Sequence, residues 1–129
     1  MKYKAVAAWN KKATREGAME SAEIPDSNYL YLTTIGRITG LPREIEIWFV
    51  ESNHNLYVLA EHFHKAQWVK NIRRNPRVRV RLGDETHEAT ARALDEEQDR
   101  ANWETAQRLA REKYGWGDGL PIEIVMTDE

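Results

Sequence analysis

The sequence predicts a mainly β protein with helices, of the α+β class, in which an antiparallel sheet curls into a barrel and a helix packs against it. Three observations predict this fold. Several short segments are rich in β-branched and aromatic residues. Turns containing glycine or asparagine join most of them directly, without the strand–helix–strand alternation of a parallel sheet. The length of 129 residues is that of one domain, which we place at residues 1–129.

The first half of the chain begins with a predicted helix and continues as a strand meander. Apolar residues near helical spacing predict a helix over 3–15, and the polar stretch 17–27 is typical of a loop. Two glycines and a proline predict a turn over 36–42. The strands predicted around this turn cover residues 29–34, 44–49 and 56–60.

The second half combines two helices with three strands. Val78, Val80 and Leu82 alternate with arginines, which predicts a strand over 77–82 with one buried face. Trp103, Ala106, Ala110 and Tyr114 form an apolar stripe on a long helix. The remaining predicted elements are a helix over 65–74, a strand over 85–94, a helix over 96–114 and a strand over 122–126.

Composition excludes several classes of function. The chain has no cysteine, which rules out disulfides, thiolate nucleophiles and thiolate metal sites. A net charge of -2 does not favour general polyanion binding. No apolar run is long enough for a membrane span, and early lysines interrupt any signal-peptide core. We therefore expect a cytoplasmic protein without stable membrane insertion.

A local concentration of cations predicts an anion site. The segment from Lys70 to Arg81 carries six cations and no acid, and Arg37 and Arg43 flank the Gly36–Gly40 turn. Guanidinium groups and backbone N–H groups of a concave turn both bind phosphate or carboxylate. A solvated arginine face that protects an edge strand is the structural alternative.

The other candidate side chains indicate no self-sufficient catalytic site. His62 and His64 could bind a metal, but no third ligand is evident, and we predict no metal site. The serines lack a nucleophile motif, so an enzymatic reaction would depend on a bound cofactor. The segment from Tyr114 to Gly119 is either a lid that closes over a flat ring or a helix C-cap followed by a turn.

Two motifs in order resemble a known family. Residues 32–43, LTTIGRITGLPR, are similar to its L-T-T-x-G-R-x-[ST]-G-x-P-R signature, and residues 68–78, WVKNIRRNPRV, to its W-x-x-N-L-x-x-[ND]-P-x-V signature. This is the deazaflavin (F420)-dependent nitroreductase or quinone reductase-like family of the flavin/deazaflavin oxidoreductases. The resemblance covers residues 28–94 well, and the strand after Pro121 is also similar.

The resemblance implies a split β-barrel of the FMN-binding, pyridoxamine-phosphate-oxidase-like type and a homodimer. It implies hydride transfer from reduced coenzyme F420 to a small quinone, nitro compound or other electron-poor acceptor. His62 and Tyr114 are then the candidate catalytic proton donors. The positions implied for cofactor binding are Thr34, Gly36, Arg37, Thr39, Gly40, Pro42, Arg43, Ala60, Glu61, His62, Trp68, Lys70, Asn71 and Arg73.

Two alternatives stay open at this point. The barrel could bind FMN as a flavoprotein rather than F420. It could also bind nucleic acid through the Lys70–Arg81 segment, although the net charge of -2 disfavours this and we expect no nucleic-acid partner.

Overall fold

The computed structural model describes residues 28–127. The predicted helix over 3–15 and the loop over 17–27 lie outside the described residues. The elements, numbered here in chain order, are β1 (Tyr29–Ile35), β2 (Pro42–Trp48), β3 (Val50–Ser52), β4 (Asn55–Ala60), a 3₁₀ turn (Phe63–Lys65), α1 (Gln67–Arg74), β5 (Arg77–Leu82), β6 (Glu85–Ala93), α2 (Arg100–Tyr114) and β7 (Leu120–Met126).

The described strands form one antiparallel sheet that closes on itself. Their order across the sheet is β2-β1-β5-β6-β7-β4-β3, with seven strands. Strands β2 and β3 therefore lie at opposite edges, although only Phe49 separates them in the chain. One residue cannot span a flat seven-stranded sheet, because neighbouring strands lie about 4.8 Å apart. The sheet must curl until its two edges meet at Phe49.

Side chains of a strand alternate between the two faces of the sheet, and the residues that face the interior of the curled sheet are apolar. Val78, Val80 and Leu82 are buried as the sequence predicts, while the arginines between them lie on the outer face. On β1 and β7, Leu32 and Ile122 are also fully buried. The main difference from the predicted strands is that the strand over 44–49 continues past Phe49 as β3, which no sequence pattern separates from β2.

Helix α2 covers the outer face of β3, β4 and β7. This cover explains why every residue from Leu56 to Ala60 is buried, since both faces of β4 are packed. The predicted stripe is confirmed: Trp103, Ala106 and Ala110 are buried. The helix begins at Arg100 rather than 96, because the carboxylate of Asp95 accepts hydrogen bonds from the backbone N–H groups of the next residues and holds a non-helical turn.

The end of α2 is joined to the corner at Phe49 by Tyr114. The Tyr114 hydroxyl lies 2.6 Å from the carbonyl oxygen of Asn28 and 2.5 Å from that of Phe49, and it donates its hydrogen toward them. Its ring stacks on Trp48 with a centroid distance of 4.5 Å. Tyr114 therefore fastens the helix to the place where the chain crosses from one sheet edge to the other.

The segment after Tyr114 adopts the second of its two predicted alternatives, a helix C-cap followed by a turn. Gly115 has φ 78° and its N–H donates to the carbonyl of Arg111. The side chains of Arg111 and Gln107 donate to the carbonyls of Gly117 and Gly119. A Cβ on Gly117 would lie 2.2 Å from the carbonyl oxygen of Gln107, so this position packs directly against the backbone of α2 and admits no side chain.

Two buried tyrosines predict a loss of stability in alkali. Burial and the hydrogen bond to Glu123 raise the pKa of Tyr57 from 10.0 to about 12, and burial raises the pKa of Tyr114 well above its usual range. The folded protein then keeps protons that the unfolded chain releases near pH 10. We expect the free energy of unfolding to fall as pH rises from 10 to 12, with a weaker fall in Tyr57→Phe.

Urea unfolding monitored by tryptophan fluorescence at a series of pH values measures this slope. If the free energy of unfolding falls equally steeply with pH in the wild type and Tyr57→Phe, the raised pKa of Tyr57 does not contribute to the loss of stability.

Candidate functional site

A cavity of about 720 Å³ lies between the turn that joins β1 to β2 and the segment that leads into α1. Its volume is within the range of about 300–1,000 Å³ that is common for small-molecule sites. We call it the cationic cavity. Its lining consists of Gly36, Arg37, Ile38, Thr39, Arg43, Ile45, His62, Lys65, Ala66, Gln67, Trp68 and Asn71.

The turn on one side of the cavity is held by its own backbone. The N–H of Gly36 donates to the carbonyl of Leu41, and the N–H of Gly40 donates to the carbonyl of Gly36. The Thr39 hydroxyl accepts a hydrogen bond from the N–H of Leu41. A Cβ on Gly36 would lie 2.9 Å from this hydroxyl oxygen and 3.3 Å from the carbonyl oxygen of Leu41, so a larger residue here would have to displace the Thr39 hydroxyl.

Asn71 connects α1 to this turn and to β1. Its Oδ1 accepts hydrogen bonds from the backbone N–H and a guanidinium nitrogen of Arg37, at 3.1 and 3.0 Å. Its Nδ2 donates to the Thr34 hydroxyl at 3.2 Å. Thr34 and Asn71 are both buried, whereas Arg37 reaches the cavity. Asn71 thus fixes the position of Arg37 from the buried side of the cavity wall. Gln67 accepts a further hydrogen bond from the same guanidinium at 2.8 Å.

Arg43 and Lys65 add two more positive charges. Arg43 lies directly opposite Thr34 in the β1–β2 register, and its Nε is 3.6 Å from the position that a Cβ on Gly36 would take. Within residues 28–127 no carboxylate lines the cavity, and no acidic side chain of these residues forms an ion pair with Arg37, Arg43 or Lys65. Three permanent cations thus share one concave surface, which favours a ligand with several negative charges.

The turn supplies fewer backbone donors than its glycines suggest. The segment from Gly36 to Leu41 has six backbone N–H groups. Three of them donate hydrogen bonds within the turn, and a fourth donates to Asn71. Those of Ile38 and Thr39 have no partner within the described residues and border the cavity. The anion site predicted at this turn therefore depends mainly on side-chain cations.

The opposite wall is formed where the chain leaves β4. Phe63 has φ 53°, a left-handed conformation that is rare for a bulky residue. His62 lines the cavity just before this residue, and Lys65, Ala66 and Trp68 line it after this residue. Trp68 is 4% exposed, and with Ile45 and Ala66 it gives part of the wall an apolar surface that suits a flat ring.

The structure brings together half of the sequence-predicted cofactor residues in this cavity and places the others elsewhere. Those that line it are Gly36, Arg37, Thr39, Arg43, His62, Trp68 and Asn71. Thr34 supports Asn71 from the buried side, and Gly40 and Pro42 belong to the turn and the start of β2. Ala60 is fully buried. Lys70 and Arg73 lie on α1 outside the lining.

Glu61 and Tyr114 line a second, small cavity of about 20 Å³ between α2 and the sheet. Strand alternation places Glu61 on the same face as Tyr57 and Leu59, away from the cationic cavity. The structure therefore does not bring Tyr114 together with His62. The Tyr114 hydrogen is directed at backbone carbonyl groups, which makes it an anchor of the fold rather than a proton donor for the cationic cavity.

Sequence reasoning did not single out Lys65, Gln67 and Ile45 as site residues. Gln67 is four residues before Asn71, a spacing that places both on one helix face. That spacing could have identified Gln67 from the sequence as a neighbour of Asn71. The sequence contains no comparable signal for Lys65, because the position of its side chain depends on the left-handed backbone conformation of Phe63.

The arginines of β5 do not extend the cationic cavity. Arg79 pairs with Glu88 at 3.0 Å and Arg81 lies 3.8 Å from Glu44, while the Arg81 guanidinium also covers the ring of Tyr31. The Lys70–Arg81 segment is therefore partly neutralised by acids of neighbouring strands, which argues against a continuous nucleic-acid surface.

Two further features concern metal ions and membranes. Within residues 28–127, no cluster of three or more histidine and carboxylate side chains could hold a metal ion. None of the described helices combines the length and the apolar character that crossing a membrane requires.

Comparison with known proteins gives one family match. Residues 6–127 match the family described as F420H(2)-dependent quinone reductase. No protein with a curated description matches the chain.

Solved structures share the fold. An F420-H2 dependent reductase, FDR-A, has a TM-score of 0.60 and 27% identity, over 81% of this chain and 98% of that chain. A putative pyridoxamine 5'-phosphate oxidase from Listeria innocua has a TM-score of 0.62 and 18% identity, over 79% and 86%. A structure described as a domain-swapped dimer has a TM-score of 0.56 and 26% identity, over 84% and 87%. The expected α+β split β-barrel is confirmed.

The hydrogen bonds of Asn71 predict that replacing Thr34 by valine lowers stability more than the same replacement at Thr33. Thr34→Val removes the acceptor of the buried Asn71 amide, and we expect it to lower the free energy of unfolding by about 1–3 kcal/mol. Thr33→Val is the matched control, because Thr33 is half-exposed on the other face of the same strand. Urea unfolding of both variants measures the difference, and equal stabilities would show that the Asn71–Thr34 bond does not contribute.

Proposed function

Because the chain belongs to the F420H(2)-dependent quinone reductase family, we propose that its cationic cavity binds reduced coenzyme F420 and that the enzyme reduces a quinone, a nitro compound or another electron-poor acceptor. The observation that carries this proposal is the group of three cations, Arg37, Arg43 and Lys65, on a cavity to which the described part of the chain contributes no acid. The phosphate and glutamate tail expected for F420 needs such a surface.

The residues of the cavity fit the two chemically different parts of this cofactor. Arg37 and Arg43, with Lys65, would bind the anionic tail, since guanidinium groups form paired hydrogen bonds with phosphate and carboxylate. Trp68, Ala66 and Ile45 would contact the deazaflavin ring. The buried Thr34–Asn71 pair would hold Arg37 in place without touching the cofactor.

Reduced F420 supplies the hydride when it is bound, and the chain supplies position, orientation and a proton. Fixing the tail aligns the ring, and alignment of the two reactants accounts for much of the rate in such transfers. The rim of the cavity carries Ile38, which is 83% exposed and offers an apolar contact for an aromatic acceptor. His62 lines the same cavity and would protonate the reduced acceptor.

Three expectations from the sequence remain proposals here. We propose a homodimer, supported by the relative described as a domain-swapped dimer. The choice between quinone and nitro acceptors stays a prediction, as does the cytoplasmic location.

Titration with F420 tests the proposed site directly. We expect saturable binding that weakens with salt, because charged contacts with the tail are screened. Arg37→Ala and Arg43→Ala should each weaken binding about tenfold or more. Arg77→Ala is the control, since Arg77 is exposed on β5 and outside the lining. Equal affinities for all variants, or tight binding of FMN without a response to F420, would overturn the proposal.

The role of His62 is tested by separating binding from turnover. We expect His62→Gln to lower the rate of quinone reduction by about 10²-fold while F420 affinity stays unchanged. His64→Gln is the control, because His64 is exposed two residues away and outside the lining. Unchanged turnover in His62→Gln would remove His62 from the reaction.

A further inference from the structure

Arg37, in the cavity turn, is held differently from the described arginines that form ion pairs. Arg79 and Arg92 donate to carboxylates at 3.0 Å, and Arg100, Arg108 and Arg111 also lie within 3.5 Å of an acid. Arg37 instead donates to two amide oxygens, those of Asn71 and Gln67. Its side chain is ordered by neutral acceptors, so its charge is not cancelled by the groups that order it.

The two amides hold Arg37 through different nitrogens. One terminal nitrogen of the guanidinium lies 3.0 Å from Oδ1 of Asn71, and the other lies 2.8 Å from Oε1 of Gln67. Asn71 is buried and also binds Thr34, whereas Gln67 is exposed and its side chain has no other hydrogen bond within the described residues. Two acceptors fix the guanidinium plane, and the remaining N–H groups stay available to a ligand.

We propose that Gln67 is a positioning residue for Arg37, and that its neutrality is what keeps Arg37 effective toward an anion. A carboxylate at position 67 could accept the same hydrogen bond, but it would bring a negative charge into direct contact with the guanidinium and lower the positive charge of the cavity. This inference rests on the proposed function, because the anion that Arg37 binds there is the tail of F420.

The substitution Gln67→Glu separates the hydrogen bond from the charge. We expect it to weaken F420 binding about tenfold or more at low salt, with a smaller loss at high salt. Gln67→Ala removes the hydrogen bond and adds no charge, and Asn71 still holds Arg37, so its loss should be several-fold smaller. A residue that matters only for structure would give the opposite order, with Gln67→Ala at least as damaging.

Two controls isolate the effect. Gln98→Glu makes the same charge change on an exposed turn before α2, outside the cavity, and should leave F420 affinity unchanged. Titration with 5-deazariboflavin, which carries the ring without the anionic tail, should give equal affinities in the wild type and Gln67→Glu. Gln67 is exposed, so the thermal unfolding midpoints of all variants should remain close to that of the wild type.

The outcomes distinguish this inference from the proposed function. If the wild type binds F420 and Gln67→Glu binds it equally well, the positioning role is overturned and the cofactor assignment stands. Equal losses in Gln67→Glu and Gln67→Ala, or a loss of deazariboflavin binding, would also overturn it. If the wild type does not bind F420, the proposed function fails, and the same comparison with inorganic phosphate decides whether Gln67 controls anion binding.

Discussion

The rest of the structure depends on a single connection, the one residue that separates β2 from β3. These strands lie at opposite edges of the sheet, and Phe49 alone joins them. The sheet must therefore close, and closure places the β1–β2 turn opposite the start of α1. It also creates a corner whose backbone carbonyls accept the hydroxyl hydrogen of Tyr114. The cationic cavity and the anchor of α2 are both consequences of this geometry.

Polar groups near α2 and at the cationic cavity are arranged in different ways. Near α2, Tyr57, Glu123 and Arg92 form a row across three strands that ends at Asp99, in which the one guanidinium pairs with both carboxylates. At the cationic cavity, amide and hydroxyl groups hold Arg37 without neutralising it. The first arrangement joins a helix to the sheet. The second keeps positive charge available for the anionic cofactor that we propose binds there.

The sequence predicts those features that depend on local spacing. Alternation identified the buried face at Val78 and Val80, and the glycine turn with Arg37 and Arg43 was located correctly. Features that depend on long-range pairing were not predictable: the division of one apparent strand at Phe49, and the different cavities of His62 and Tyr114. Their positions follow from sheet closure and from the left-handed turn at Phe63, neither of which has a periodic signal.

The central claim is that the cations between the β1–β2 turn and α1 receive the anionic part of F420. A crystal structure of the complex with F420 tests it most directly. We expect tail oxygens to lie within hydrogen-bond distance of the guanidinium groups of Arg37 and Arg43, with the bonds from Arg37 to Asn71 and Gln67 retained. A tail bound along the outer arginines of β5, or an Arg37 that leaves both amides to reach the ligand, would contradict it.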